Sequence, residues 1–216
     1  MTLFLNDLDT GLDEINKKNL KICVAGVGTV GLPLATFLAN AGFEVVGLDV
    51  SKDRINEINS ATVRFEYPDR LKEAINTKKL KATTDVKEAL EDMDAIFICV
   101  PTPLNDEKAI DISNLEDITN RIAPYVKKGM ILVVESSVSI GTTRTVGDLL
   151  ETKSGLKIGT DIGLAYCPER YDPSLPPPDN PPKVVYGDKP SDSQNLTLSG
   201  IPRVVGGIND KSMKLT

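Results

Sequence analysis

Short apolar runs alternate with longer amphipathic stretches through most of this chain. Runs rich in Val, Ile, Leu and Ala are typical of buried parallel strands, and they lie at 21–28, 44–49, 80–84, 94–100, 129–135 and 162–167. Between them, apolar positions at helical spacing predict helices at 30–41, 69–76, 85–91, 111–126 and 142–150, with another after Ser51. This alternation predicts the α/β class: a Rossmann-like, doubly wound, mainly parallel sheet with helices on both faces.

The N-terminal residues 1–19 stand outside this alternation. Leu8, Leu12 and Ile15 are spaced to line one face of a short helix, in an otherwise acidic and polar stretch. We expect either a mobile acidic extension or a surface helix here. We therefore place the start of the main domain at residue 20 and its end at residue 209.

The C-terminal part of the chain changes composition. Residues 171–200 begin with a cluster of prolines and predict an extended loop, either at the rim of the fold or disordered. A proline-rich partner motif is the less ordinary alternative. A short strand at 201–207 follows, and Asp210 is placed to cap a helix at 210–216 that the chain barely begins, so we expect a truncated helix.

The first apolar run ends in a Gly-x-Gly-x-x-Gly loop with Thr29 and Val30 inside it. Gly26 permits a sharp turn, Gly28 lets a pyrophosphate approach the backbone, and Gly31 lets the following helix pack close to the strand. The free N–H groups at the start of that helix favour an anion. The loop predicts a dinucleotide site, and a plain glycine turn without a ligand is the alternative.

Asp49 ends the second apolar run, a little over about 20 positions after the first glycine, as a ribose-binding carboxylate does. Its oxygens are placed to accept hydrogen bonds from the adenine ribose hydroxyls. Its charge disfavours a 2′-phosphate, so the predicted cofactor is NAD rather than NADP. The alternative is a surface aspartate that caps the next helix.

In a doubly wound sheet, ligands bind outside the carboxyl ends of the strands. Each predicted strand end here is a loop with Gly, Pro, hydroxyl or charged residues, and we expect these loops to rim one crevice. They lie at 26–31, 49, 100–104, 136–139 and 168–170.

The composition excludes several classes of function. The net charge of the 216 residues is −6 and no Lys/Arg stripe occurs, so nucleic acid and anionic membranes are poor partners. No apolar stretch is long enough to span a bilayer, and the N-terminus lacks the basic and apolar regions of a signal peptide. These features predict a cytoplasmic protein.

The numbers of cysteines and histidines exclude further kinds of site and mechanism. The three cysteines are Cys23, Cys99 and Cys167, and their odd number and spacing argue against a disulfide framework or a zinc site. The chain has no histidine, which excludes a Ser-His-Asp or Cys-His mechanism within it. We expect no metal site.

Five motifs in order give the chain a specific resemblance. The motifs are GVGTVGLPLA at 26–35, CVPTP at 99–103, ESSVSIGTT at 135–143, YCPER at 166–170 and IPRVVGG at 201–207. With them the chain resembles the UDP-glucose/GDP-mannose dehydrogenase family, and its Pro-Glu-Arg motif is more similar to the UDP-N-acetylmannosamine and UDP-N-acetylglucosamine 6-dehydrogenases than to the UDP-glucose branch.

The resemblance implies NAD-dependent oxidation of the C6 alcohol of a UDP-sugar to a carboxylate, as in polysaccharide biosynthesis. It also implies that this chain is only the N-terminal NAD domain. The family's catalytic cysteine, lysine, asparagine and late aspartate, together with its UDP-binding domain, fall beyond its last residue. We therefore expect this chain to bind NAD without catalysing the reaction. We expect it to bind a UDP-sugar only together with the missing domains. The full-length family is dimeric, and we expect this chain to be monomeric or weakly associating.

Two other functions stay open. A stand-alone dinucleotide-binding or regulatory module would show the same sequence features without catalysis. A Rossmann dehydrogenase of the hydroxyacid type would need a catalytic Lys or His in a helical domain, and the chain has neither that domain nor any histidine.

The resemblance also assigns cofactor-binding residues. It places Arg54 near the adenosine end, although Arg54 is equally a plausible solvated helix residue. It places two segments as walls under the cofactor, where prolines also simply end a strand. These wall residues are Val100, Pro101, Thr102, Pro103, Ser136, Ser137 and Val138.

Two residues take catalytic roles by the same resemblance. Ser137 occupies the place of a family threonine that helps to hold a water molecule. Glu169 matches a glutamate proposed as the base in thioester hydrolysis, and an ion pair with Arg170 is its plainer alternative. Pro173 stands where the UDP-glucose branch has a second acid, so we assign no role to that acid. Glu135 has a minor place, buried against the serine pair.

Overall fold

The computed structural model of the chain describes residues 3–65, 67–169 and 203–216, together with the backbone of 185–186 and 189–190. The remainder of the predicted loop at 171–200 lies outside the described residues, as do Arg170, Pro173 and the first two residues of the strand predicted at 201–207.

A mostly parallel sheet forms the centre of the fold. Its strands are β1 (Lys21–Ala25), β2 (Glu44–Leu48), β3 (Leu80–Thr83), β4 (Ala95–Ile98), β5 (Ile131–Val134), β6 (Gly163–Tyr166) and β9 (Gly206–Gly207), and β7 (Val185–Tyr186) and β8 (Lys189–Pro190) form a separate antiparallel pair. The strands of the sheet follow the spatial order β3-β2-β1-β4-β5-β6-β9, and within it β9 pairs antiparallel with β6 while the other pairs are parallel. The predicted fold class is therefore confirmed.

Helices connect the strands and cover both faces of the sheet. They are α1 (Leu8–Asn16), α2 (Gly31–Asn40), α3 (Lys52–Asn59), α4 (Pro68–Asn76), α5 (Val86–Leu90), α6 (Ser113–Ile122), α7 (Thr142–Ser154) and α8 (Asp210–Lys214), and a 3-10 turn covers Ala123–Tyr125. Successive residues of β1 point to opposite faces, so Ile22 and Val24 join one buried cluster while Cys23 and Ala25 join the other.

Several predicted boundaries need correction. The first strand stops at Ala25 because Gly26 turns with a φ of 91°. The helix predicted at 111–126 is shorter, because the Asp111 carboxylate accepts the N–H of Ser113 at 2.9 Å before the helix begins, and Pro124 falls in the 3-10 turn. The cap of α8 is Asn209 rather than Asp210: its side chain accepts the Ser212 N–H at 2.9 Å.

The N-terminal segment packs against the sheet. Of the two alternatives for this segment, the surface helix is present, as α1. Its residue Leu12 is 36 % exposed. The residues that anchor the segment are instead Leu3 and Phe4, which are 1 % and 2 % exposed. The Phe4 N–H donates to the Gly129 carbonyl at 2.7 Å. A side chain at Gly163 would meet the Phe4 ring 2.7 Å away, so this glycine makes room for the ring. The residues before and after the predicted boundary at residue 19 therefore belong to the same hydrophobic core.

The part of the chain that the structure describes contains no helix with the length and apolarity that a membrane crossing requires.

Candidate dinucleotide-binding site

A crevice of about 620 Å³ opens at the carboxyl ends of the parallel strands. It brings together most of the site residues predicted from the sequence. Those that line it are Gly26, Gly28, Thr29, Val30, Asp49, Val100, Pro101, Thr102, Ser136, Ser137 and Glu169. Gly31, Arg54 and Pro103 are not in its lining: Gly31 is buried behind the glycine loop, Arg54 contacts that loop, and Pro103 is exposed beside the crevice.

The three glycines of the loop have two different steric roles. A Cβ on Gly26 would lie 2.7 Å from the Cys99 carbonyl oxygen, and a Cβ on Gly31 would overlap the carbonyl oxygen of Gly26. Gly28 has no neighbouring atom within 4 Å of its Cβ position and lines the crevice. The first and third glycines therefore serve packing, whereas the second leaves open space where an anionic group can approach the start of α2.

Asp49 and Arg54 both bind the backbone of the glycine loop. The Asp49 carboxylate accepts the Val27 N–H at 3.1 Å and the Ser51 N–H at 3.0 Å. The Nε of Arg54 donates to the Val27 carbonyl oxygen at 3.1 Å. Asp49 is only half-buried and lines the crevice, so its oxygens have further acceptor capacity toward a ligand.

The opposite wall is built by hydrogen bonds between the loops after β4 and β5. The Ser136 hydroxyl donates to the Val100 carbonyl at 2.7 Å, and the Thr102 hydroxyl donates to the Ser137 carbonyl at 2.7 Å. Ser136 is 7 % exposed, while Ser137 is exposed and lines the crevice. Of the two predicted serines, both of which line the crevice, Ser136 is buried and its hydroxyl is used within the wall, whereas Ser137 is exposed.

A cluster of charged side chains closes the β5–β6 end of the crevice. The Arg203 Nη1 donates to both carboxylate oxygens of Glu135 at 2.6 Å, and its Nη2 donates to Glu169. The side chains of Glu135 and Glu169 are 1 % and 7 % exposed. Sequence analysis assigned Glu135 only a minor place and included Arg203 in the motif at 201–207 without a role. The predicted alternative partner of Glu169, Arg170, lies outside the described residues.

Burial and charge act against each other in this cluster. Burial raises the pKa of Glu135, although the Arg203 guanidinium opposes the change. For Arg203, burial by itself would lower the pKa of the guanidinium. The negative charges of the two glutamates and the hydrogen bonds to Glu135 have the larger effect, so the pKa of Arg203 is raised. Burial also raises the thiol pKa of Cys167, which the Arg203 Nη1 approaches at 3.8 Å.

The other two cysteines are also buried, Cys23 within β1 and Cys99 directly after β4, where it lines the crevice. Burial raises the pKa of Cys23 to about 12 and raises that of Cys99 well above its ordinary value. Neither is a ready thiolate nucleophile.

Helix α6 supplies lining residues that the sequence did not single out. Asn114, Asp117, Ile118 and Arg121 share one helical face and line the crevice together with Asp49. The Asn114 amide donates to the Pro101 carbonyl at 3.0 Å. Their spacing at three, four and seven positions was a visible signal, but it also describes any helix face that packs on a sheet.

Comparison with known proteins decides the family. The model of the UDP-glucose/GDP-mannose dehydrogenase family, NAD binding domain, matches residues 20–199. The chain belongs to the UDP-glucose/GDP-mannose dehydrogenase family. The matched part is the family's NAD-binding domain, which agrees with the crevice, the open position at Gly28 and the acceptor at Asp49.

Individual members of the family give the same picture. A UDP-N-acetyl-D-mannosamine dehydrogenase from Methanococcus vannielii is 36 % identical over 212 residues, which are 94 % of this chain and 43 % of that protein. An NDP-N-acetyl-D-galactosaminuronic acid dehydrogenase from Ralstonia nicotianae is 36 % identical over 162 residues, 70 % of this chain and 37 % of that protein.

A solved structure extends the agreement to the fold. The UDP-D-ManNAc dehydrogenase from Pyrococcus horikoshii matches with a TM-score of 0.73 and 32 % identity, over 89 % of this chain and 42 % of that one. The chain thus spans about two fifths of the length of these family members.

Proposed function

We propose that this chain is the NAD-binding part of a UDP-sugar 6-dehydrogenase, of the type that acts on UDP-N-acetylmannosamine. The observation that carries the proposal is the Asp49 carboxylate beside the open Gly28 position, in a chain that matches the family's NAD-binding domain. Relatives named for UDP-N-acetyl-D-mannosamine support the choice of sugar.

The residues of the crevice fit the parts of NAD in order. The pyrophosphate would lie over Gly28 at the start of α2, and the adenine ribose would bind Asp49. The remaining half of the dinucleotide would then extend toward the loops after β4, β5 and β6, along Thr102 and Ser137, and the strand order and the lining of the crevice support this direction. When bound, NAD supplies the hydride acceptor for oxidation of the sugar alcohol.

The chain's own residues would bind and orient rather than perform the complete reaction. We propose that Ser137 holds a water molecule at the far wall, where it is exposed to the crevice. Glu169, at the same end, is the proposed base for hydrolysis of an intermediate. We assign the nucleophile's role to none of the three cysteines, since all are buried and burial favours the neutral thiol over the thiolate.

We propose that the chain binds a UDP-sugar only together with further domains. Without those domains it would bind NAD but would not turn over a substrate. It would also be monomeric or only weakly associating. We also propose a cytoplasmic location, and the acidic composition argues against nucleic-acid partners.

Calorimetric titration with NAD and with NADP tests the proposal. We expect saturable binding of NAD and at least about tenfold weaker binding of NADP, since the Asp49 charge repels a 2′-phosphate. An equal affinity for both, or binding of neither, contradicts the proposed role of the crevice.

A further inference from the structure

Arg203 contacts two residues of the crevice lining, Glu135 and Glu169, from a distant part of the sequence. It lies just before β9 and outside the residues 20–199 that match the family's NAD-binding domain. Its guanidinium nevertheless bridges Glu135, directly after β5, and Glu169, after β6. One side chain therefore joins the ends of two neighbouring strands at one end of the crevice.

The two glutamates depend on this bridge for their arrangement. Both carboxylates are nearly inaccessible to water and lie on the same guanidinium, whose planar fork suits two acceptors at once. Without the guanidinium, two buried carboxylates would face each other across the strand ends, and burial of like charges is strongly unfavourable. Their main chains are also linked, since the Glu169 N–H donates to the Glu135 carbonyl at 3.3 Å.

The bridge is connected directly to the crevice wall. Glu135 precedes Ser136, whose hydroxyl donates to the Val100 carbonyl, and the next residue, Ser137, accepts from the Thr102 hydroxyl. A movement of Glu135 would therefore shift the loop that carries Ser137. Glu135 and Glu169 themselves line the crevice.

The sheet order identifies which half of the ligand this end would meet. Asp49 follows β2 and the glycine loop follows β1, whereas Glu135 and Glu169 follow β5 and β6, on the other side of β4. With the ribose at Asp49 and the pyrophosphate over Gly28, the nicotinamide half extends toward the bridge.

We propose that Arg203 is a positioning residue for the nicotinamide half of NAD: by holding Glu135 and Glu169 together it fixes the wall that contains Ser137. The proposal rests on the NAD binding proposed above. It adds to the site a residue that lies outside the matched domain.

The test compares NAD with ADP-ribose, which keeps the adenosine and pyrophosphate but lacks nicotinamide. Both are titrated calorimetrically into the wild-type chain, Arg203→Met and Arg203→Lys. Arg144→Met is the matched control, because Arg144 is exposed on α7 and does not line the crevice. Thermal unfolding of each variant confirms that it is folded, and Arg203→Lys keeps a positive charge in place if the methionine variant does not fold.

We expect Arg203→Met to weaken NAD about tenfold while ADP-ribose changes by less than about twofold. Arg203→Lys should show a smaller loss in the same direction, because lysine lacks the fork. Parallel losses for both ligands would mean a merely structural role and overturn the proposal, as would an unchanged NAD affinity. If the wild-type chain binds neither ligand, the proposed function itself fails; if it binds both and the variants keep the wild-type ratio, only the role of Arg203 fails.

Discussion

Arg54 binds the peptide of Val27 in the glycine loop: its Nε donates to the Val27 carbonyl oxygen at 3.1 Å. Asp49 accepts the N–H of the same residue at 3.1 Å. One loop residue is thus held through both of its backbone polar groups. In this structure, therefore, the contact that Arg54 makes is with the glycine loop, whatever it binds of a ligand.

Replacing Arg54 by Met should weaken NAD binding by about 1 kcal/mol, because the Val27 carbonyl loses its donor and the loop becomes more mobile. Calorimetry measures the affinity, with Arg144→Met as the control on an exposed helix position. An affinity equal to that of the wild type would show that the loop does not depend on Arg54.

The Asp49→Asn variant should shift cofactor preference. Its amide oxygen can still accept the Val27 N–H of the loop, while the Ser51 N–H loses its acceptor, and the charge that repels a 2′-phosphate is gone. We expect the ratio of NADP to NAD affinity to rise by about tenfold or more. A ratio that stays at the wild-type value would remove Asp49 from the ribose site.

Alanine at Gly28 and at Gly31 should give opposite phenotypes. Gly28→Ala adds a methyl group in open space, so stability should hold while the methyl obstructs the approach of a pyrophosphate. Gly31→Ala forces the methyl into the Gly26 carbonyl and should destabilise the fold by about 1–3 kcal/mol.

Denaturant unfolding and NAD titration of the two variants separate these effects. Stability lost at Gly28→Ala, or retained at Gly31→Ala, would contradict the division of the loop into a ligand-facing glycine and a packing glycine.

Phe4→Ala should destabilise the chain by about 3–5 kcal/mol, the usual cost of removing a buried aromatic ring. Phe4 is 2 % exposed and fills the space beside Gly163, so the residues before α1 are expected to contribute to stability. Leu12→Ala, at a position 36 % exposed, is the control and should cost far less. Equal unfolding midpoints for the two variants would contradict a contribution of residues 3–16 to the hydrophobic core.

Glu135 should give the stability a specific pH dependence. Burial raises its pKa above the ordinary 4.5 in the folded state. The folded state therefore binds this proton more tightly than the unfolded state, so the contribution is fully present below pH 4.5 and is lost as pH rises through the raised pKa.

Urea unfolding of the wild type and Glu135→Gln across this range isolates the effect. The wild type should lose stability relative to the variant as pH rises from below 4.5. A difference that is constant with pH, or that changes in the opposite direction, would contradict the burial of an ionisable Glu135.

The parts of the site that were predictable depend on local sequence. Gly26, Gly28 and Gly31 are adjacent in one loop, and Asp49 ends the next strand, so the parallel order of β1 and β2 brings them together automatically. The sheet was predictable for the same reason, because each apolar run is flanked in the sequence by its own turn or helix cap. Ser51 is one such cap, and its hydroxyl accepts the Arg54 N–H at 3.2 Å.

The parts that escaped prediction depend on long-range packing. Arg203 is 68 positions from Glu135 and meets it only because β9 returns along β6. No local pattern separates an arginine that ends in such a cluster from one on the surface. Arg121 on α6 was missed for a related reason: its helix was predicted, but which face borders the crevice depends on how α6 docks.

A crystal structure of this chain with NAD tests the central claim most directly. The account predicts the adenine ribose within hydrogen-bond distance of Asp49, the pyrophosphate over Gly28, and the nicotinamide on the Ser137 side, near the Arg203 bridge. A cofactor bound in the reverse orientation, or at another surface while this crevice stays free, would contradict it.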